Sequence, residues 1–184
     1  MPGKEMQHAE RNSLIETKKL TGYSEKYLAD ILMLEKKCFP AEWQYEDAPE
    51  YYKKMLENPE NINIFLKEDA ETIGYLLARP HDSEIEELKK YDPGFKEKVE
   101  TFYIETIQVL PKKKGLGGGK KLLLSACEEA GKLGIWKFSI HARTTNGLNA
   151  MVKKIFDGKI TEVREIKNWQ PGGGEPYEYL EWET

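Results

Sequence analysis

The stretch VLPKKKGLGGGKKLLL, residues 109–124, constrains this chain more than any other. An apolar strand runs into Pro111, which cannot donate to a sheet ladder. Glycines follow that admit backbone conformations closed to other residues, and a helix opens at once. Its apolar stripe is Leu122, Leu123, Ala126, Cys127, Ala130 and Leu133, and Gly131 or Gly134 ends it after about 15 residues. Such a turn leaves the N–H groups of Gly115, Gly117, Gly118 and Gly119 without intrahelical partners and aims them at one point. The helix dipole favours an anion there by roughly 0.3–1 kcal/mol. Lys112, Lys113, Lys114 and Lys120 surround the point with positive charge. The predicted ligand is a phosphate or pyrophosphate.

Two common phosphate-binding motifs fail here. A P-loop would need glycine where Lys114 stands and a hydroxyl where Lys121 stands. The dinucleotide fingerprint fits at Gly115 and Gly117 but meets Lys120 where its third glycine belongs, too late in the chain for a doubly wound sheet to follow.

Around this turn the periodicities predict one central sheet in a mixed α/β fold, in the order β-α-α-β-β-β-α-β-α-β-β. A strand over Leu14–Leu20 precedes a helix capped by Thr21 or Ser24 and ended at Phe39-Pro40. A second helix covers Ala48–Glu57. The runs 62–66 and 72–77 flank a short polar hairpin connection, and Thr101–Leu110 is the next strand. Between them, residues 81–100 are highly charged, broken at Asp92-Pro93-Gly94, and read as an exposed insertion. After the glycine helix come a strand over Trp136–Ala142, a helix from about Gly147 to Phe156, and two strands near 160–168 and 177–183 around QPGGGEP. Residues 1–12 show no pattern and read as a loose tail before a single domain, 13–184.

The 184 residues suffice for one core without disulfides or metal. No window is long and apolar enough to span a membrane, and the polar start carries no secretory signal. Two cysteines, Cys38 and Cys127, make no disulfide scaffold, so the expectation is a cytoplasmic protein. The net charge of -4 argues against nucleic acid as a partner. His8, His81 and His141 lack a metal-ligand spacing, and no metal is expected.

The pattern Lys112-x-x-Gly115-x-Gly117 resembles the acyl-CoA loop, Arg/Gln-x-x-Gly-x-Gly/Ala, of the GNAT acetyltransferases. The resemblance extends over roughly residues 14–183. FPAEWQYED (39–47) looks like the segment after the first helix in protein N-acetylating members, and SIHARTTN (139–146) is similar to the strand ending L-E-V-R-x-S-N of the ribosomal-protein acetylating branch. The resemblance implies a mostly antiparallel sheet of six or seven strands, flanked by about four helices and splayed where residues 101–110 meet 136–142. It implies acetyl-CoA as cosubstrate in that cleft. Ile107, Gln108 and Val109 would pair with the pantetheine, and the N–H groups of residues 113–119, Leu116 included, would hold the pyrophosphate. Lys112 to Lys114 and Lys120 would lie on the phosphates, and Asn146 or Asn149 at the thioester.

The implied reaction is direct acetyl transfer to a primary amine: a protein N-terminus, a lysine or a small cationic amine. The ammonium must first lose a proton. His141 stands where the related branch has a catalytic Glu, and its imidazole titrates near pH 6.5 when unperturbed. Glu105 stands on the strand where other members place a base; the sequence leaves open which face it occupies. Tyr177 or Tyr179 could protonate the leaving thiolate, and Cys127 and Cys38 read as packing. Glu42, Glu46, Asp47 and Glu50, interleaved with Trp43, Tyr45, Tyr51 and Tyr52, would favour a cationic acceptor. Alternatives are a GNAT-like module that binds CoA without turnover and a nucleotide-binding protein using the same loop; the oligomeric state, monomer or homodimer, stays open.

Overall fold

The computed structural model describes residues 14–41, 44 and 46–184. The predicted tail, His8, Glu42, Trp43 and Tyr45 lie outside them. Alternation along two strands sets the layers. On β2 (Ile62–Glu68) and β3 (Glu71–Pro80), Ile64, Leu66, Leu76 and Ala78 point to one face, and Phe65, Tyr75 and Leu77 to the other. The first set packs beneath α4 (Gly118–Gly131), whose buried stripe is Leu122, Leu123, Ala126, Cys127 and Ala130. The second packs beneath α1 (Glu25–Cys38) and α2 (Ala48–Glu57) through Ile31, Leu34, Tyr52, Met55 and Leu56. Of the two predicted caps for α1, Ser24 serves: its Oγ accepts from the Tyr27 N–H at 3.1 Å.

The remaining elements are β1 (Ile15–Lys19), a one-turn α3 (Ile85–Leu88), β4 (Thr101–Val109), β5 (Lys137–Arg143), α5 (Leu148–Ile155), β6 (Ile160–Trp169) and β7 (Glu175–Glu183). The seven strands form one sheet in the order β1-β2-β3-β4-β5-β7-β6. Every neighbouring pair is antiparallel except β4 with β5. That parallel pairing runs only from Thr101↔Lys137 to Ile104↔Ile140, after which the two strands part. On the other side of β4 the register jumps from Ala78↔Ile104 to Leu77↔Thr106. Glu105 is the extra residue of a β-bulge, which bends and twists its strand. The sheet opens at the bulge.

The expectation of an exposed insertion at 81–100 is overturned. His81 and Phe95 are fully buried, and Ile85, Leu88 and Asp92 nearly so. Together with Tyr103, Trp169 and Tyr179 the apolar ones make a third core cluster, over the β4–β5–β7–β6 end of the sheet. The charged residues of the segment coat its outer surface, which is why composition alone hid the buried ones. His81 stacks on Phe95 at 4.1 Å, with its ring nitrogens 2.7 Å from Ser139 Oγ and 2.9 Å from the Lys96 carbonyl. Asp92 is the main electrostatic tie. It accepts from Arg164, from the Gly94 N–H at 3.0 Å, and from His141 Nε2 at 3.1 Å. No described helix is long and apolar enough to cross a membrane.

This tie makes stability pH-dependent. Burial pushes the His141 pKa down against the pull of Asp92, so in the folded protein His141 is neutral at about pH 7. Unfolding lets it take up a proton, and stability therefore falls as pH drops below about 6.5. Burial would raise the Asp92 carboxyl, but the hydrogen bonds from His141 and Arg164 outweigh it and bring it from 3.8 to about 2. That stabilisation is complete above about pH 4 and is lost toward pH ~2. Thermal melts against pH should show both declines. Asp92→Asn should cost roughly 1–3 kcal/mol at neutral pH and flatten the lower one; an unchanged melting temperature would show that the tie stabilises nothing.

Candidate active site

The glycine turn is built as its sequence suggests, one residue late. Gly115 and Gly117 take φ +83° and +78°, which side chains disfavour, and Gly117 caps α4. The first bond into the helix is donated by the Lys121 N–H to the Gly117 carbonyl at 3.0 Å. The N–H groups of Gly118, Gly119 and Lys120 thus have no intrahelical acceptor. The Lys113 and Lys114 N–H groups already donate to the Leu110 and Pro111 carbonyls. Of the expected cradle of 113–119, the first two N–H groups are thus already engaged.

A cavity of about 390 Å³ lies against this turn, lined by Gly115, Gly117, Gly118, Gly119, Lys113, Lys114 and Lys120, with Ile107, Gln108 and Val109 along one wall and Asn146 at its end. Lys112, Leu116 and Asn149 do not line it. Leu116 points to solvent, and the Asn149 amide donates to Glu178 at 2.8 Å, so Asn149 is held away from the cleft. Asn146 accepts from the Leu148 N–H at 3.0 Å, fixing the start of α5.

Past Ile107, Gln108, Lys114, Asn146 and Leu148, which line both spaces, lies a second cleft of about 870 Å³. Glu105, re-aimed by the bulge, faces it. Its Oε1 accepts from the Tyr51 hydroxyl at 2.8 Å and its Oε2 from Arg79 Nη2 at 2.6 Å. The other terminal nitrogen of Arg79 holds Glu84 at 2.5 Å. Burial, opposed by Arg79 and assisted by Glu105, raises the Glu84 carboxyl from 4.5 to about 7.

His141 sits deeper, in the same wall. Its Nε2 must donate to the Asp92 anion, so Nδ1 accepts from the Tyr103 hydroxyl at 2.9 Å. The ring stacks on Trp169 at 4.0 Å and its side chain is 1% exposed. Both nitrogens are engaged, and the residue borders the cleft beside Tyr103. Tyr177 lines the cleft and its hydroxyl accepts from Arg143 Nε at 3.3 Å. Tyr179 is buried and donates to Glu181 at 2.5 Å, outside the cleft lining. Burial pushes the Cys127 thiol up to about 12, consistent with packing. Among the described residues no group of three or more His, Cys, Asp or Glu could hold a metal ion.

The sequence model of the Acetyltransferase (GNAT) family matches residues 28–152. This chain belongs to that family. Its fold is also that of acetyltransferases of known structure. Arabidopsis thaliana NAA60 in complex with acetyl-CoA superposes with a TM-score of 0.68 at 18% identity, over 93% of this chain and 100% of that one. The PaiA N-acetyltransferase of Thermoplasma acidophilum in complex with coenzyme A gives 0.65 at 15% identity, over 93% and 99%. The ribosomal-protein-S18-alanine N-acetyltransferase of Escherichia coli gives 0.64 at 13%, over 92% and 94%. At these identities the likeness is one of fold. No curated protein sequence is similar enough to be matched to this chain.

Within the GNAT frame the site contains residues that sequence reasoning missed. Arg79 lies between Glu105 and Glu84, and Asp92 and Tyr103 bracket His141. Arg79 had a signal: a cation ending the apolar run TIGYLLARP, in the same alternation as Tyr75 and Leu77. Glu84 had none, being one of many acids in its segment. Gly117→Glu should abolish CoA binding, since it strains a positive-φ position and sets a negative charge among the free N–H groups. Calorimetry with CoA reads this; unchanged affinity would move the phosphate site elsewhere.

Proposed function

We propose that this GNAT protein transfers acetyl from acetyl-CoA directly to a primary amine. The observation that carries the reading is the opening between β4 and β5. A phosphate-binding turn lies on one side, a carboxylate-lined cleft on the other, and the same five residues line both. The residues fit the cosubstrate: N–H groups 115–120 with Lys114 and Lys120 for the phosphates, and the unpaired edge of Ile107 to Val109 for the pantetheine. A side chain at Gly119 would crowd Met151, which lines the cavity, with its Cβ 3.2 Å away, while one at Gly118 would press into the core 2.6 Å from Leu66. Acetyl-CoA supplies the thioester carbonyl that the amine attacks.

An amine with a pKa near ~10 arrives protonated. Glu105, directly or through one water, takes its proton: both bases predicted from sequence line the cleft, but both ring nitrogens of His141 are engaged by Asp92 and Tyr103, whereas the Glu105 oxygens keep further lone pairs. His141 acts as a positioning residue: with Asp92 behind it, it fixes the Tyr103 hydroxyl in the cleft wall. A backbone N–H near Val109 stabilises the tetrahedral oxyanion, a contribution of roughly 3 kcal/mol per donor. The Tyr177 hydroxyl, whose oxygen accepts from Arg143, keeps its own hydrogen to offer the leaving sulfur. Holding amine and thioester together makes the step effectively unimolecular, and no covalent enzyme intermediate is needed.

The acceptor is an amine whose class stays broad: protein N-terminus, lysine or small cation. The acids and aromatics of the cleft, Glu84, Glu87, Glu105, Tyr91 and Trp169, favour a cation approaching it. Glu105→Gln should lower kcat by roughly 10²-fold or more with acetyl-CoA affinity preserved. Thiol release with a panel of peptide and polyamine acceptors measures it. Tight acetyl-CoA binding without turnover of any amine would favour a CoA-binding module instead.

A further inference from the structure

Resting on the acetyltransferase reading, we propose that Glu84, carried into the site by the 81–100 insertion, is a second proton acceptor of the cleft and shares that task with Glu105 across the Arg79 guanidinium. The geometry is a single cation between two carboxylates. Arg79 Nη1 meets Glu84 Oε1 at 2.5 Å and Nη2 meets Glu105 Oε2 at 2.6 Å. The three side chains are only 12–15% exposed. One positive charge for two negative ones leaves a net negative charge in a cleft shielded from water, a deficit that a proton or an ammonium relieves.

The two carboxylates are not equivalent. Glu105 accepts from both Arg79 and Tyr51, whereas Glu84 accepts from Arg79 alone among the described residues. A carboxylate with fewer donors gives up its charge more readily. The groups facing Glu84 are Arg79 of β3, Glu105 of β4 and Glu87 of α3, and burial with the two acids outweighs the arginine. Tyr51 of α2 bonds Glu105, and Lys114, Arg143 and His141 line the other walls of the cleft. The carboxyl is raised to about 7, so both its forms are populated near neutrality, the condition that best suits a general base.

The step balances. The acceptor ammonium gives one proton to the Glu84–Glu105 pair, and the neutral nitrogen bonds to the thioester carbonyl carbon. When the C–S bond breaks, the sulfur keeps the electron pair and takes a proton from the Tyr177 hydroxyl, which regains one from the second proton that the nitrogen loses. The pair then releases its stored proton to solvent. One ammonium and one thioester enter; one amide, one thiol and one proton leave.

Glu84→Gln keeps the volume and the contact to Arg79 and removes only the ionisation. Protein carrying carbon-13 at its glutamate carboxyls is titrated by NMR between about pH 5 and about pH 9, in wild type and Glu84→Gln. The same samples give kcat/KM against pH for acetyl-CoA with a short peptide bearing a free N-terminus and with spermidine. The expected result is one carboxyl with a near-neutral midpoint, absent from the variant, and a wild-type rate profile whose acid limb follows that midpoint. The variant should lose that limb and roughly 10²-fold of rate at neutral pH. A near-neutral carboxyl that persists in the variant, or is missing from wild type, overturns the assignment. A titration as expected with an unaltered rate profile removes Glu84 from the reaction and leaves Glu105 as base. Wild type that turns over neither amine removes the acetyltransferase reading, and this proposal with it, whatever Glu84 titrates like.

Discussion

The bulge at Glu105 is the feature on which the site depends. A strand of nine residues pairs with β5 for its first four and then leaves it, and the residue at which it leaves is the one that has no partner on β3. The extra residue does two things at once. It bends β4, which opens the sheet and frees one backbone edge of residues 105–109. It also turns the Glu105 carboxylate into the space so created. Pro111 then ends the strand, and the glycine turn brings the N-terminus of α4 to the far side of the same opening. Carboxylate, extended backbone and glycine turn thus follow one another along fifteen or so residues of chain, and one local distortion sets their relative positions.

The rest of the fold supports that opening from outside. The α1–α2 layer contributes Tyr51, which holds one oxygen of Glu105. The insertion closes the opposite wall and is clamped by Asp92 to β5 through His141 and to β6 through Arg164. These buried polar groups are satisfied in chains: Tyr103 to His141 to Asp92, and Ser139 to His81 to the Lys96 carbonyl. Such chains hold the aromatic cluster of Phe95, Tyr103, Trp169 and Tyr179 in one arrangement, because breaking any link strands a buried donor or acceptor. A segment that looks like a charged loop is in this way part of the wall of the cleft.

The local devices were legible because each has its own chemistry. Pro111, the glycines and the stripe of α4 mark a strand, a turn and a helix without reference to anything distant. The element order and the splayed sheet followed from the same signals and the family resemblance, and the structure has them. What stayed hidden were relations between elements. The face of Glu105 depends on a one-residue register shift against β3, and alternation within β4 carries no trace of it. The fate of His141 depends on Asp92, 49 residues earlier, in a segment whose Asp-Pro-Gly read only as a break in an exposed insertion. Asn149 matched a family position, but its amide found Glu178 on β7, a competitor that no local pattern shows.

The central claim, that the turn and the splay together hold acetyl-CoA, is tested most directly by thermal melts with acetyl-CoA, CoA, ATP and NAD at matched concentrations. A ligand at about 100 times its dissociation constant adds roughly 2.7 kcal/mol. For a domain of this size that is a rise on the order of 5–10 °C. The geometry predicts that rise with acetyl-CoA and CoA and none with NAD or ATP. A rise with ATP or NAD alone, or with none of the four, would contradict it.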